Sequence, residues 1–82
     1  MRATLPADVA LHARPAGLFV REAARFASVV TVSANGKTAN AKSILEVLGL
    51  GATGGTEVIL TVSGDDAVAA AEHLARLVTE LT

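Results

Sequence analysis

The chain has 82 residues, 51% of them hydrophobic, with a formal net charge of −1, no cysteine, no tryptophan or tyrosine and two phenylalanines. It is long enough for one small domain, 1–82, whose core must be built from Ala, Val and Leu. These totals exclude disulfides and thiolate metal sites and argue against generic binding to nucleic acid or insertion into a membrane, since no apolar run approaches the roughly 20 residues of a span. The first residues also lack the unbroken apolar stretch of a signal peptide, so the expectation is a soluble, cytoplasmic domain.

Arg2 to Ala7 reads as a short strand, and Pro6 confines it to an edge or ends it. Pro15 to Ala27 reads as a helix, with proline in the first turn, where its missing N–H costs nothing. Ala16, Phe19, Val20, Ala23 and Ala27 recur at helical spacing and define its inner face. Ser28 to Ala34 (SVVTVSA) is β-branched and alternating, hence a strand. Asn35-Gly36 marks a two-residue hairpin turn, with Lys37 to Ala41 as the returning strand.

Ser43 to Leu48 (SILEVL) is a short apolar helix whose N-cap serine and Glu46 form an S-x-x-E capping box. Gly49, Gly51, Gly54 and Gly55 punctuate its exit. Glu57 to Ser63 (EVILTVS) is a strand with Val58, Leu60 and Val62 on one side. Asp65 or Asp66 caps the last helix, which carries Ala67, Ala71, Leu74, Val78 and Leu81 inward and Glu72, Arg76 and Glu80 outward. The order β-α-β-β-α-β-α predicts an α+β fold: a four-stranded, mostly antiparallel sheet with three helices on one face.

His12 stands three residues before Pro15, at the mouth of the first helix. Helix N-termini present unpaired N–H groups and partial positive charge, which suits anions and favours the neutral, nucleophilic imidazole. Such a ring can attack phosphorus, and the same N–H groups can then hold the phosphohistidine dianion. Arg14 adds a cation with several donors for phosphate oxygens. Taken alone, a histidine before a helix is more often a loop or capping residue, and H-x-R-P is a weak signal.

Arg14, Leu18, Arg21 and Arg25, spaced +4, +3 and +4, form a stripe opposite the apolar face. This reads either as a docking face for an acidic partner or as a solvated basic face with one stray leucine. In the short helix, Leu45 pairs with Leu48 and Ile44 with Val47, and one and a half turns cannot bury both pairs. Ser43, beside Lys42, is most simply a plain N-cap, though a phosphoserine there would be tolerated. His73, with Glu72 and Arg76, reads as an ordinary surface histidine. No cluster has metal-ligand spacing and no nucleotide fingerprint is present, so no metal and no cofactor are expected.

The segments LHARPAGLFVREA, NGKTANAKSILEVLGLG and AAAEHLARLVTEL resemble the HPr family, the histidine-containing phosphocarriers of the phosphoenolpyruvate-dependent sugar phosphotransferase system. The resemblance runs over nearly the whole chain and implies an open-faced β-sandwich. It implies that enzyme I phosphorylates His12 on Nδ1 and that the group passes on to sugar-specific IIA domains. Arg14 matches the arginine that engages the phosphoryl group. Ser43 matches the serine phosphorylated by a serine kinase/phosphorylase in many Gram-positive members. Leu18, Arg21, Leu45 and Leu48 fall on the partner-docking surface. Asp8-Val9-Ala10 departs from the polar turn that the family usually has before Leu-His. The expected protein is a monomeric carrier, not an enzyme in the turnover sense. The alternative is the nitrogen-related regulatory carrier of the same family; a nucleic-acid-binding domain is opposed by the charge and the missing aromatics.

Overall fold

The structure, a computed structural model, describes residues 1–9 and 13–81. In chain order its elements are β1 (Arg2–Thr4), α1 (Ala13–Ala23), β2 (Val29–Ala34), β3 (Lys37–Asn40), α2 (Ile44–Leu48), β4 (Glu57–Ser63) and α3 (Ala67–Glu80). The order and number of elements are those the sequence predicts. The sheet is β1-β4-β2-β3, and every neighbouring pair is antiparallel.

Alternation makes the sheet two-sided. Ala3, Val30, Val32, Ala34, Ala39, Val58 and Leu60 are buried beneath the helices. The residues between them, such as Thr38, Ile59 and Thr61, form the open face. Phe19 and Ala23 of α1, Val47 of α2 and Leu74 and Val78 of α3 complete one core with this inner face. Ala34 pairs directly with Lys37, so Asn35-Gly36 is a two-residue turn. Both residues have positive φ, 54° and 75°, as a type I′ turn requires.

Several boundaries differ from the sequence reading. β1 ends at Thr4, two residues before Pro6, and it is an edge strand. Helix α1 starts at Ala13, which places Pro15 within the first turn, where an N–H is not needed. It stops at Ala23 and not at Ala27. Arg25 N–H and Phe26 N–H bond to the carbonyls three residues back, of Glu22 and Ala23, so the last turn tightens. The next two N–H groups, of Ala27 and Ser28, are taken at 2.9 Å by the Asp66 carboxylate. Ala27, expected inward, is therefore exposed.

The same contact changes the start of α3. Asp66 occupies the N-cap position, but its side chain makes no capping bond. Its carboxylate accepts from Ala27 and Ser28 N–H and from the Ser28 hydroxyl instead. The inner face of α3 is Ala70, Leu74 and Val78, with Leu81 beyond its end, while Ala67 and Ala71 are half-buried. That stripe shares Leu74, Val78 and Leu81 with the expected one, but Ala70 takes the place of Ala67 and Ala71.

Candidate functional site

The residues Ala10, Leu11 and His12 lie outside those described, so the site is built from what flanks them. Arg14 is the second residue of α1 and is exposed. Leu18 and Arg21 follow on the same side of the helix. Leu18 keeps 39% of its surface accessible, whereas its neighbour Phe19 keeps 1%. Ala13, Arg14, Pro15, Gly17, Leu18 and Arg21 line an open cleft of about 430 Å³ at the helix mouth. Two guanidinium groups thus flank an apolar side chain beside the N-terminal end of an 11-residue helix. Such a cleft favours an anion and an acidic protein surface alike.

Arg25 does not extend this stripe. It lies past the end of α1, and its guanidinium pairs with Glu22 at 3.1 Å. Glu22 also accepts a hydrogen bond from His73 Nε2 at 2.8 Å, and the His73 ring packs at 5.6 Å from that of Phe26. His73 is therefore a clamp between α3 and α1, where the sequence suggests an ordinary surface residue. Nothing local could have shown it, because the partners are 51 residues apart.

The hydrogen bond from His73, aided by the charge of Arg25, holds the Glu22 carboxyl below its ordinary value. Asp66 is lowered too, first by the Ser28 hydroxyl and then by the Ala27 N–H. Both groups bind a proton less readily when folded. Their stabilisation is complete above the ordinary carboxylate range and is lost as pH falls through the depressed folded values. Urea midpoints measured from pH 7 down to pH 3 should therefore fall on the acid side. Glu22→Gln should flatten that fall; an unchanged acid slope would remove Glu22 from the linkage.

Ser43 sits before α2 in an extended conformation, and its hydroxyl accepts from Glu46 N–H at 3.4 Å. The reciprocal half of the capping box is displaced: Glu46 Oε1 accepts from Asn40 N–H at 3.0 Å, not from Ser43 N–H. Asn40 in turn accepts Lys42 N–H on its side-chain oxygen and Ser43 N–H on its carbonyl. Lys42 Nζ donates to the Phe26 carbonyl at 2.7 Å, tying this segment to the C-terminal end of α1. Ser43 is half-buried within this network.

Burial divides each of the two apolar pairs of α2, leaving one member more exposed than the other. Leu45 is 79% exposed and Ile44 37%, while Val47 is fully buried and Leu48 packs half-buried against the core. At about 100° per residue, Ile44, Val47 and Leu48 share one side of the helix, and Leu45 and Glu46 lie outside it. Leu48, expected on the docking surface, therefore belongs mainly to the core. Ile44, at the open end of the helix, joins Leu45 on the surface. Since α1 packs on α2, Leu18 and Leu45 belong to neighbouring elements. Among the described residues, no group of three or more His, Cys, Asp and Glu side chains could hold a metal, and no helix is long and apolar enough to cross a membrane.

A small open-faced β-sandwich with a basic helix mouth beside a half-apolar short helix defines a narrow class of protein. The family model for the "PTS HPr component phosphorylation site" matches residues 2–80, and the chain belongs to the HPr family of phosphotransferase-system phosphocarriers. It is 52% identical over 71 residues to the phosphocarrier protein HPr of Streptomyces coelicolor, covering 85% of this chain and 76% of that one. The crystal structure of HPr from Bacillus anthracis superposes with a TM-score of 0.91 at 40% identity, covering 96% of this chain and 94% of that one. The crystal structure of Crh from Bacillus subtilis, a domain-swapped dimer, gives a TM-score of 0.77 at 44% identity over 98% of this chain and 85% of that one.

Proposed function

We propose that His12 accepts a phosphoryl group from phospho-enzyme I and passes it to sugar-specific IIA domains. The cleft formed by Arg14, Leu18 and Arg21, directly after His12 in the chain, is the observation that carries this reading. In the accepting step a neutral ring nitrogen, Nδ1, forms the bond to phosphorus as the bond to the donor atom of enzyme I breaks. That donor atom leaves with the electron pair, and the phosphohistidine keeps its proton on Nε2. The donating step is the same displacement in reverse, onto the IIA acceptor.

The protein holds the anion and presents a surface to both partners, while the partners supply most of the rate. Because His12 is consumed and restored by separate proteins, this is a carrier and not an enzyme. It works in the cytoplasm as a monomer, whose α1–α2 face is free for each partner in turn. Incubation with enzyme I and phosphoenolpyruvate, followed by intact mass and tandem spectrometry, tests the reading. One acid-labile phosphoryl group on His12 is expected, and an unchanged mass would overturn it.

Arg14 contributes charge-assisted hydrogen bonds to the phosphoryl oxygens in this reading. A hydrogen bond to a charged group is worth about 1.5–3 kcal/mol, so Arg14→Ala should slow transfer by roughly ten- to a hundredfold. Arg14 is exposed, and the unfolding free energy should stay within about 0.5 kcal/mol of the parent. Stopped transfer assays with enzyme I and a urea melt on the same variant check both halves. An unaltered rate in both directions removes Arg14 from the site.

Ser43 is the regulatory position in this reading, the target of a serine kinase/phosphorylase. Its hydroxyl already lies beside the acidic Glu46 and near the exposed Leu45, so a further negative charge meets the surface that acidic partners approach. Ser43→Asp should weaken docking to enzyme I by up to about fivefold, as expected for a charge term of up to roughly 1 kcal/mol near the surface. Added salt should relieve part of the loss. Titration calorimetry at low and high salt measures it. Weakening that salt leaves intact, or that tracks a lower melting temperature, would contradict an electrostatic effect.

A further inference from the structure

We propose that Gly17 is a specificity-determining residue for docking: its missing side chain lets a bulky apolar side chain of enzyme I, with a carboxylate about one turn away on the same helix, pack directly on the backbone of α1. The inference rests on enzyme I docking on α1, as proposed above.

Gly17 is the fifth of the 11 residues of α1. A glycine inside a helix is less stable than alanine, because it loses more backbone freedom on folding. A fold can still require one, for its conformation or for space. Gly36, Gly51, Gly55 and Gly64 have positive φ. A Cβ on Gly49 would stand 3.3 Å from the Glu46 carbonyl oxygen, and one on Gly54 only 2.0 Å from that of Ala7. Gly17 alone has neither reason. Its φ is not positive, and a Cβ there would meet nothing within 4 Å among the described residues. Alanine would fold better at this position, so the fold does not call for the glycine.

The glycine faces the cleft that Arg14, Leu18 and Arg21 also line. Its other neighbour in the chain, Ala16, is fully buried. Leu18 is exposed beside it, and Arg21 stands one helical turn further on, about 6 Å along the axis. Arg14 engages the phosphoryl group in the reading above. Arg21 makes no ion pair among the described residues, whereas Arg2 and Arg25 each have one. The gap over Gly17 is thus bounded by an apolar side chain and an uncommitted cation. What fits it is an apolar side chain followed by a carboxylate at the same spacing. Side chains at the crossing set how near two helices come, so a glycine admits the lower end of the usual separation of about 8–10 Å. The glycine therefore weakens the free carrier and strengthens the complex.

Gly17→Ala should move stability and affinity in opposite directions, which a purely structural role cannot do. Its melting temperature should rise by about 2–8 °C. Its Kd for enzyme I, from titration calorimetry, should rise about fivefold, as for one methyl forced into a packed contact. Gly17→Leu should melt no lower than the parent and bind up to about a hundredfold more weakly. Both losses are steric, so they should persist at high salt. If the parent binds enzyme I and Gly17→Ala binds equally well, melts lower than the parent, or recovers its affinity in salt, the proposal is overturned. If the parent does not bind enzyme I, the underlying reading has failed instead.

Discussion

His12→Ala should give a folded domain that accepts no acid-labile phosphoryl group from enzyme I and phosphoenolpyruvate. The loss should be complete, because the remaining histidine cannot take over. His73 spends its Nε2 on Glu22 and packs its ring on Phe26, away from the α1 mouth. Its only reactive nitrogen would be Nδ1, with neither Arg14 nor the helix N-terminus beside it. The paired variant, His73→Ala, should lose the α1–α3 clamp yet keep transfer. Intact mass after incubation separates the two. An acid-labile phosphate retained by His12→Ala would place the nucleophile elsewhere and overturn His12 as the phosphoacceptor.

Phe19→Ala should destabilise the domain by about 3–5 kcal/mol, the usual cost of emptying a buried phenylalanine site. Phe19 is 1% exposed and is the largest fully buried side chain, in a core otherwise made of Ala, Val and Leu. Small neighbours fill a cavity poorly, so the upper half of that range applies. Domains of this size have a total stability of about 5–15 kcal/mol, and each kcal/mol is worth about 4–8 °C in melting temperature. A fall of at least about 16 °C, read by far-UV circular dichroism, is therefore expected. Transfer should persist below the new midpoint, since Arg14 and Leu18 stand on the opposite side of α1. A fall of less than about 4 °C would mean that the core closes over the cavity.

The regular elements were legible because their signals are local. Alternation at Val30, Val32 and Ala34 and the Asn35-Gly36 turn specify a hairpin in any context, and β4 runs over the residues the pattern marks, Glu57 to Ser63. The H-x-R-P tetrapeptide and the Arg14–Leu18–Arg21 spacing likewise placed a basic mouth on α1 before any contact was known. Helix ends were less legible, since they depend on competing donors. Asp66 could equally have capped α3, but two N–H groups from Ala27 and Ser28 took its carboxylate and ended α1 early.

Composition and periodicity by themselves determined the element list, one apolar face for each long helix, and the basic apolar patch at the start of α1. The tertiary structure alone decided that β4 inserts between β1 and β2, that Leu48 turns inward while Ile44 stays out, that His73 reaches Glu22, and that Gly54 bears on Ala7. The division has a physical cause. Helix and strand periodicity record which side of an element is apolar, through interactions a few residues apart. Pairing across 51 residues, or a backbone contact between two loops, depends on which apolar faces meet when the core closes, and no short stretch of chain carries that information.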